Sequence, residues 1–131
     1  MTASRFVALA LALALAGCSA EQLGKDMSSF TFFQSKGEQS LSSGIKNYED
    51  ANYKDALQDL QNSLDAGLSK ASEVKARKYL AFIHCVSGRE KQCYDEFNKA
   101  LDLNPDLELT PAEAGHPVWG PVFRAVKTKR R

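Results

Sequence analysis

No glycine-rich phosphate loop, no nucleophile elbow and no cluster of carboxylates occurs in these 131 residues, so the sequence marks of phosphoryl transfer, acyl transfer and two-carboxylate hydrolysis are missing. The chain is therefore expected not to be an enzyme. Histidine and cysteine are scarce, at two and three. Neither a paired Cys-x-x-Cys nor a His-x-x-x-His spacing is present, which argues against a metal site built from Cys85, Cys93, His84 and His116. A Cys–His nucleophile fares no better, because His84 and Cys85 are neighbours and leave a helix on different faces. Long apolar runs are lacking too: Phe6–Ala16 has eleven residues, against about 20 needed to span a bilayer. Nor is there an excess of basic charge. Beyond Gly17 the chain carries 16 basic and 16 acidic residues, and that balance gives no reason to expect a nucleic-acid partner.

What is present is helical periodicity, in a length that leaves room for one domain. Ala76–Pro105 reads as two amphipathic helices either side of Gly88, the second stopping at Asn104-Pro105, where a helix has to end. Leu80, Ala81, His84, Cys93, Phe97, Ala100 and Leu101 fall where paired helices must touch. The spacing is that of a tetratricopeptide (TPR) unit, in which a small residue on each helix lets two backbones approach. A self-comparison finds an earlier copy: aligning Gly44 with Ala81 brings Tyr48 to Cys85, Ala56 to Cys93, Leu60 to Phe97 and Leu64 to Leu101. The offset is 37 positions against about 34 for this repeat, and the polar stretch Gly67–Ser72 accommodates the extra residues as a connector.

The expected helices are Glu38–Asp50, Tyr53–Ala66, Ser72–Val86, Glu90–Leu103 and Val118–Lys127. The expected architecture is thus all-α: two TPR-like hairpins and a C-terminal capping helix, a fragment of an α-solenoid. Two repeats are fewer than the three or so that bury a continuous core, so something must cover the open end. The approach to the final helix carries a helix-start signature, with Thr110 as N-cap, Pro111 at the first position and Glu113 completing a capping box. Val118, Trp119, Val122, Phe123 and Val126 then form an apolar stripe suited to lie on the second hairpin. Trp119 reads as the core anchor of this cap, with contact to a ligand or partner as the alternative.

At the N-terminus, Met1–Arg5 is a short basic start, Phe6–Ala16 an Ala- and Leu-rich run, and Leu15-Ala16-Gly17-Cys18 closes it, the plan of a secretory signal. Residues 1–17 are expected to be removed. The closing string resembles a bacterial lipobox. That resemblance implies a diacylglycerol on the Cys18 sulfur, cleavage before it and an acyl chain on the new amine. Each buried methylene contributes about 0.8 kcal/mol, so several chains on one residue hold essentially permanently. Ser19 stands where Asp would mark inner-membrane retention, and the implied location is the outer membrane, facing the periplasm. No other cofactor is expected. Residues 18–37 form the lipidated Cys and a flexible tether, rich in Ser, Gln, Lys and Gly, with a span of roughly 25 Å; the domain proper is 38–131. Phe30-Thr31-Phe32-Phe33 interrupts the tether. These aromatics either pack on the outside of the first hairpin or form a docking segment.

In TPR proteins the first helix of each repeat lines a concave face. Transferring that register nominates Leu41, Ile45, Tyr48 and Glu49 with Lys75, Lys78, Phe82 and Cys85 as a surface for a protein or peptide partner. The same residues could instead complete the core or contact the cap. Cys85 and Cys93 are an even pair in a chain bound for an oxidising compartment, near the end of one helix and the start of its antiparallel partner. Facing positions there can meet the Cα separation of about 4.4–6.8 Å that a disulfide requires, and we expect them to be bonded, two buried thiols being the alternative. The basic end, Arg124, Lys127, Lys129, Arg130 and Arg131, is either a solvated terminus or a contact for anionic headgroups or cell-wall polymer.

Taken together, the lipobox, YEDANYKDAL, KYLAFIHCVSGREKQCYDEFNKAL and PAEAGHPVWGPVF are similar to a family of small TPR-type lipoproteins associated with bacterial type VI secretion. The resemblance runs from about Leu41 to Val126. It implies a non-enzymatic, envelope-anchored adaptor that assists assembly or positioning of the secretion apparatus by binding another component. The alternative class is an outer-membrane or pilus assembly lipoprotein of the pilotin kind.

Overall fold

The computed structural model describes residues 36–131; the expected signal peptide, Cys18, the tether up to residue 35 and Phe30–Phe33 lie outside the described residues. Six helices follow in order: α1 (36–49), α2 (Tyr53–Ala66), α3 (Lys70–Val86), α4 (Glu90–Leu103), α5 (Pro111–Ala114) and α6 (Trp119–Lys129). Among the described residues no strand occurs. The all-helical expectation therefore holds, and α1/α2 and α3/α4 are packed hairpins.

Each hairpin closes where a small residue admits its partner. A Cβ at Gly44 would lie 2.8 Å from Leu60 Cγ, so α1 approaches α2 as closely as a glycine allows. Ala81 and Phe97 at the equivalent positions of α3 and α4 are both fully buried. The turns differ. Between α1 and α2, Ala51 adopts a φ of 62°, a left-handed conformation that costs a residue bearing a Cβ roughly 1–2 kcal/mol. Between α3 and α4 the same role falls to Gly88, at φ 73°, where no Cβ resists it. There the Ser87, Gly88 and Arg89 amides donate to the Ile83, Cys85 and His84 carbonyls, satisfying the helix end. The Cys85–Cys93 disulfide spans this turn with a Cα–Cα distance of 5.0 Å, as expected.

α3 is the central helix. Ala76, Leu80 and Ile83 pack with Leu41, Ala56 and Leu60 of the first hairpin, while Ala81, Phe82 and Cys85 pack with Cys93, Phe97, Leu101, Trp119, Phe123 and Val126. A helix apolar on two sides is buried on two sides. α3 begins at Lys70, two residues before expected, because Ser69 is its N-cap and accepts from the Ser72 amide at 3.2 Å. At the other end of the first hairpin, Lys36 and Gly37 are helical, although both were expected to belong to the tether. Gly37 is held close to the α2–α3 connector: a Cβ there would lie 2.3 Å from the Gly67 carbonyl oxygen.

The open side of the second hairpin is covered by α6, which packs on α4 and α3. It runs Trp119–Lys129 instead of Val118–Lys127, with Val118 as its N-cap. The Thr110 signature opens not this helix but α5, a separate single turn: Glu113 N donates to Thr110 Oγ1 and Thr110 N to Glu113 Oε2. Trp119 anchors the cap, as expected, stacking on Phe82 at 4.4 Å and donating its indole N–H to the Glu113 carbonyl at 2.8 Å.

Candidate functional site

α1 of the first hairpin and α3 of the second lie side by side, and between them runs a shallow groove of about 420 Å³. Its floor is Leu41 and Ile45 of α1, one helical turn apart. Around them stand Glu38, Ser42, Lys46 and Glu49 from the same helix and Lys75 from α3. Lys46 is tied to Asp50 at 2.7 Å, an exposed pair one turn apart. Apolar floor and mixed charged rim are what an amphipathic helix or an extended peptide requires of its receptor.

Of the residues expected on this face, Leu41, Ile45, Glu49 and Lys75 come together in the groove. Tyr48, Lys78 and Phe82 do not. Phe82 is 1% exposed; rings of Tyr79, Phe97 and Trp119 surround it, so it belongs to the core and can touch no partner. The reason is α6: register alone places Phe82 on the concave face, and Trp119 covers it. Cys85 is likewise buried and already bonded to Cys93. Leu41 itself is only 4% exposed, closing the groove floor more than presenting a side chain.

Tyr48 forms an aromatic group beside the groove with Tyr53, at 5.9 Å, and Tyr79, at 5.1 Å in an edge-to-face arrangement. Burial, together with these neighbouring phenols and the Glu113 carboxylate, pushes its hydroxyl up to about 12. Tyr79 is raised as well, first by burial and then by Glu113 and Glu49. Both phenols remain neutral donors throughout the physiological range.

Lys78 has an internal role. Its ammonium meets Glu113 at 2.6 Å, with both side chains mostly shielded, and lies over the Tyr79 and Phe82 rings at 5.4 and 5.7 Å. Burial alone would raise the Glu113 carboxyl; hydrogen bonds from Lys78 and Thr110 outweigh it and hold the group below its ordinary range. This contact fastens α3 to α5 across 35 residues of sequence. The sequence reading gave Glu113 a capping role alone, and no local pattern signals the second one. Glu96 is 8% exposed and receives Lys99, one helical turn away, at 2.7 Å and Arg77, 19 positions away, at 3.1 Å; only the first of these has a local spacing.

His84, weighed above as the partner of a Cys–His nucleophile and as a metal ligand, is held by Arg89. Arg89 Nε donates to His84 Nδ1 at 2.8 Å, fixing that nitrogen as the acceptor. With Cys85 and Cys93 joined, neither sulfur offers the thiolate that nucleophilic attack or metal ligation by this pair requires. Among the described residues no helix is long and apolar enough to cross a membrane. Comparison with protein-family models, curated proteins and solved structures finds no match to this chain.

Proposed function

We propose that this protein is an envelope lipoprotein whose helical domain is a TPR-type adaptor, held on the periplasmic side of the outer membrane by fatty acyl chains on Cys18. The adaptor binds a protein or peptide component and assists assembly or positioning of a type VI secretion apparatus. It performs no chemistry of its own. The observation that supports binding most directly is the α1/α3 groove, with Leu41 and Ile45 as floor and Glu38, Glu49 and Lys75 as rim. The TPR reading draws support from the matched crossings, Gly44 at Leu60 and Ala81 at Phe97, 37 positions apart.

The anchor reading is tested by fractionation and mass spectrometry. The processed chain should begin at Cys18 with acyl chains attached, and Cys18→Ser should move the protein out of the membrane fraction. Partner identity is tested by crosslinking and pull-down with the lipidated protein. Recovery of sheath, tube or membrane-complex proteins supports the adaptor. Recovery of outer-membrane insertion machinery alone sinks it.

A further inference from the structure

The charges of the domain are divided by position. Residues 36–113 carry ten basic and fourteen acidic side chains, whereas 114–131 carry five basic and none acidic. Cations in the last turn of a helix are ordinarily explained by the carbonyl end of its dipole, and Lys127, Lys129 and Arg130 fit that account. Lys127 also pairs with Glu108 and donates to the Leu107 carbonyl, and Arg130 pairs with Asp102. Arg124 and Arg131 are left over. Arg124 sits in mid-helix and donates one hydrogen bond, to the Ala114 carbonyl at 3.2 Å. No carboxylate of the described residues pairs with either guanidinium.

These two arginines stand along a groove of about 350 Å³ between α6 and the 107–114 segment, floored by Leu109 and Phe123. The one carboxylate on its wall, Glu108, is already neutralised by Lys127. A second depression, of about 550 Å³, continues round the end of α6 and shares Glu108, Lys127 and Arg131 with the first. Arg124 lies inside α6 and Arg131 just beyond its end at Lys129, seven positions further along the chain, and both line the same groove. Guanidinium groups form paired hydrogen bonds with carboxylates, and an apolar floor between two such groups selects what lies between the carboxylates.

We propose that this groove is a second binding site, taking an acidic segment of a protein partner that places carboxylates on Arg124 and Arg131 and an apolar side chain on Leu109 and Phe123. The negative balance of the rest of the domain disfavours such a segment there, so the α6 face is the more favourable landing place. The site is separate from the α1/α3 groove and does not depend on the lipid anchor.

The test uses the full chain in neutral detergent and a fluorescein-labelled hexapeptide bearing two glutamates three positions apart with a leucine between them. Its glutamine counterpart is the control. At low salt the glutamate peptide should bind at least about tenfold more tightly than the control. Arg124→Gln combined with Arg131→Gln should remove most of that preference, and Lys75→Gln in the other groove should leave it unchanged. Equal binding of the two peptides, or full retention in the double variant, overturns the proposal. So does capture by anionic phosphatidylglycerol vesicles without any preference between the peptides, which would make the face a membrane contact. Should the double variant lose its helical circular dichroism, the peptide comparison on the unaltered chain, with amide shifts at Leu109 and Phe123 as the second readout, decides alone.

Discussion

The two hairpins share a plan and differ in how firmly they are closed. In α1/α2 the turn is held by Ala51 in a left-handed conformation, and part of the interface is polar: the Asp59 carboxylate accepts from Ser43 Oγ at 2.6 Å and Asn47 Nδ2 at 2.9 Å. In α3/α4 the turn is Gly88, a disulfide crosses it, and the core beneath is aromatic, with Phe97 against Phe82 and Phe123. The second hairpin is thus the stability centre. The first, which carries the α1/α3 groove, has the weaker closure, and binding surfaces are commonly drawn from that end of the range.

The largest effect expected from breaking this contrast is at its aromatic core. Phe97→Ala should destabilise the domain by about 3–5 kcal/mol, and by more than Leu60→Ala at the equivalent position, because Phe97 also loses two ring–ring contacts of about 0.5–1.5 kcal/mol each. Urea titration of both variants checks the order; equal losses would mean that the two hairpins are equally well packed. Next comes the disulfide. Replacing Cys85 and Cys93 together by Ala should cost about 2.5 kcal/mol for a loop of this length. Hydrogen exchange should then show α3/α4 protection falling toward that of α1/α2. Non-reducing mass spectrometry of the untreated chain should show the two-hydrogen deficit of a closed bond, and free thiols on both would remove the basis of the contrast.

A smaller change sharpens the comparison from the other side. Ala51→Gly relieves the left-handed strain of the first turn, at the price of a more flexible unfolded chain, and should stabilise the domain by up to about 1 kcal/mol; the melting temperature reads it. The smallest effect is on pH. Burial first, then the charge of Arg89 and, more weakly, Lys99, lower the His84 pKa from its ordinary 6.5, with Glu96 opposing. The unfolded chain therefore takes up this proton before the folded one. The stability that neutral His84 contributes is fully present above pH 6.5 and is lost as pH falls below that value toward the folded pKa. His84→Gln should flatten this slope in melting curves taken between pH 7.5 and 5.5, a range about one unit either side of the ordinary histidine value.

Much of the fold was legible because it rests on local chemistry. Gly88, the small residues at the crossings, the register of Cys85 and Cys93 and the Thr110–Glu113 box each announce themselves within a few positions. The candidate binding face was half legible. Leu41, Ile45, Glu49 and Lys75 follow from repeat register, but Phe82 and Lys78 fail because α3 is apolar on two sides and periodicity cannot say which side α6 will cover. The Lys78–Glu113 pair joins residues 35 apart, and the α6 groove depends on how the 107–114 segment folds back. Neither contact has a sequence spacing to be read.

The Gly37–Gly67 contact has a mechanical consequence. The chain that leads to Cys18 enters the domain where α1 presses on the connector joining the two hairpins. Under the proposed anchoring at Cys18, a pull along the chain would be received at that joint, where Gly37 meets the Gly67 carbonyl, and not at a free helix end that could be unzipped one turn at a time.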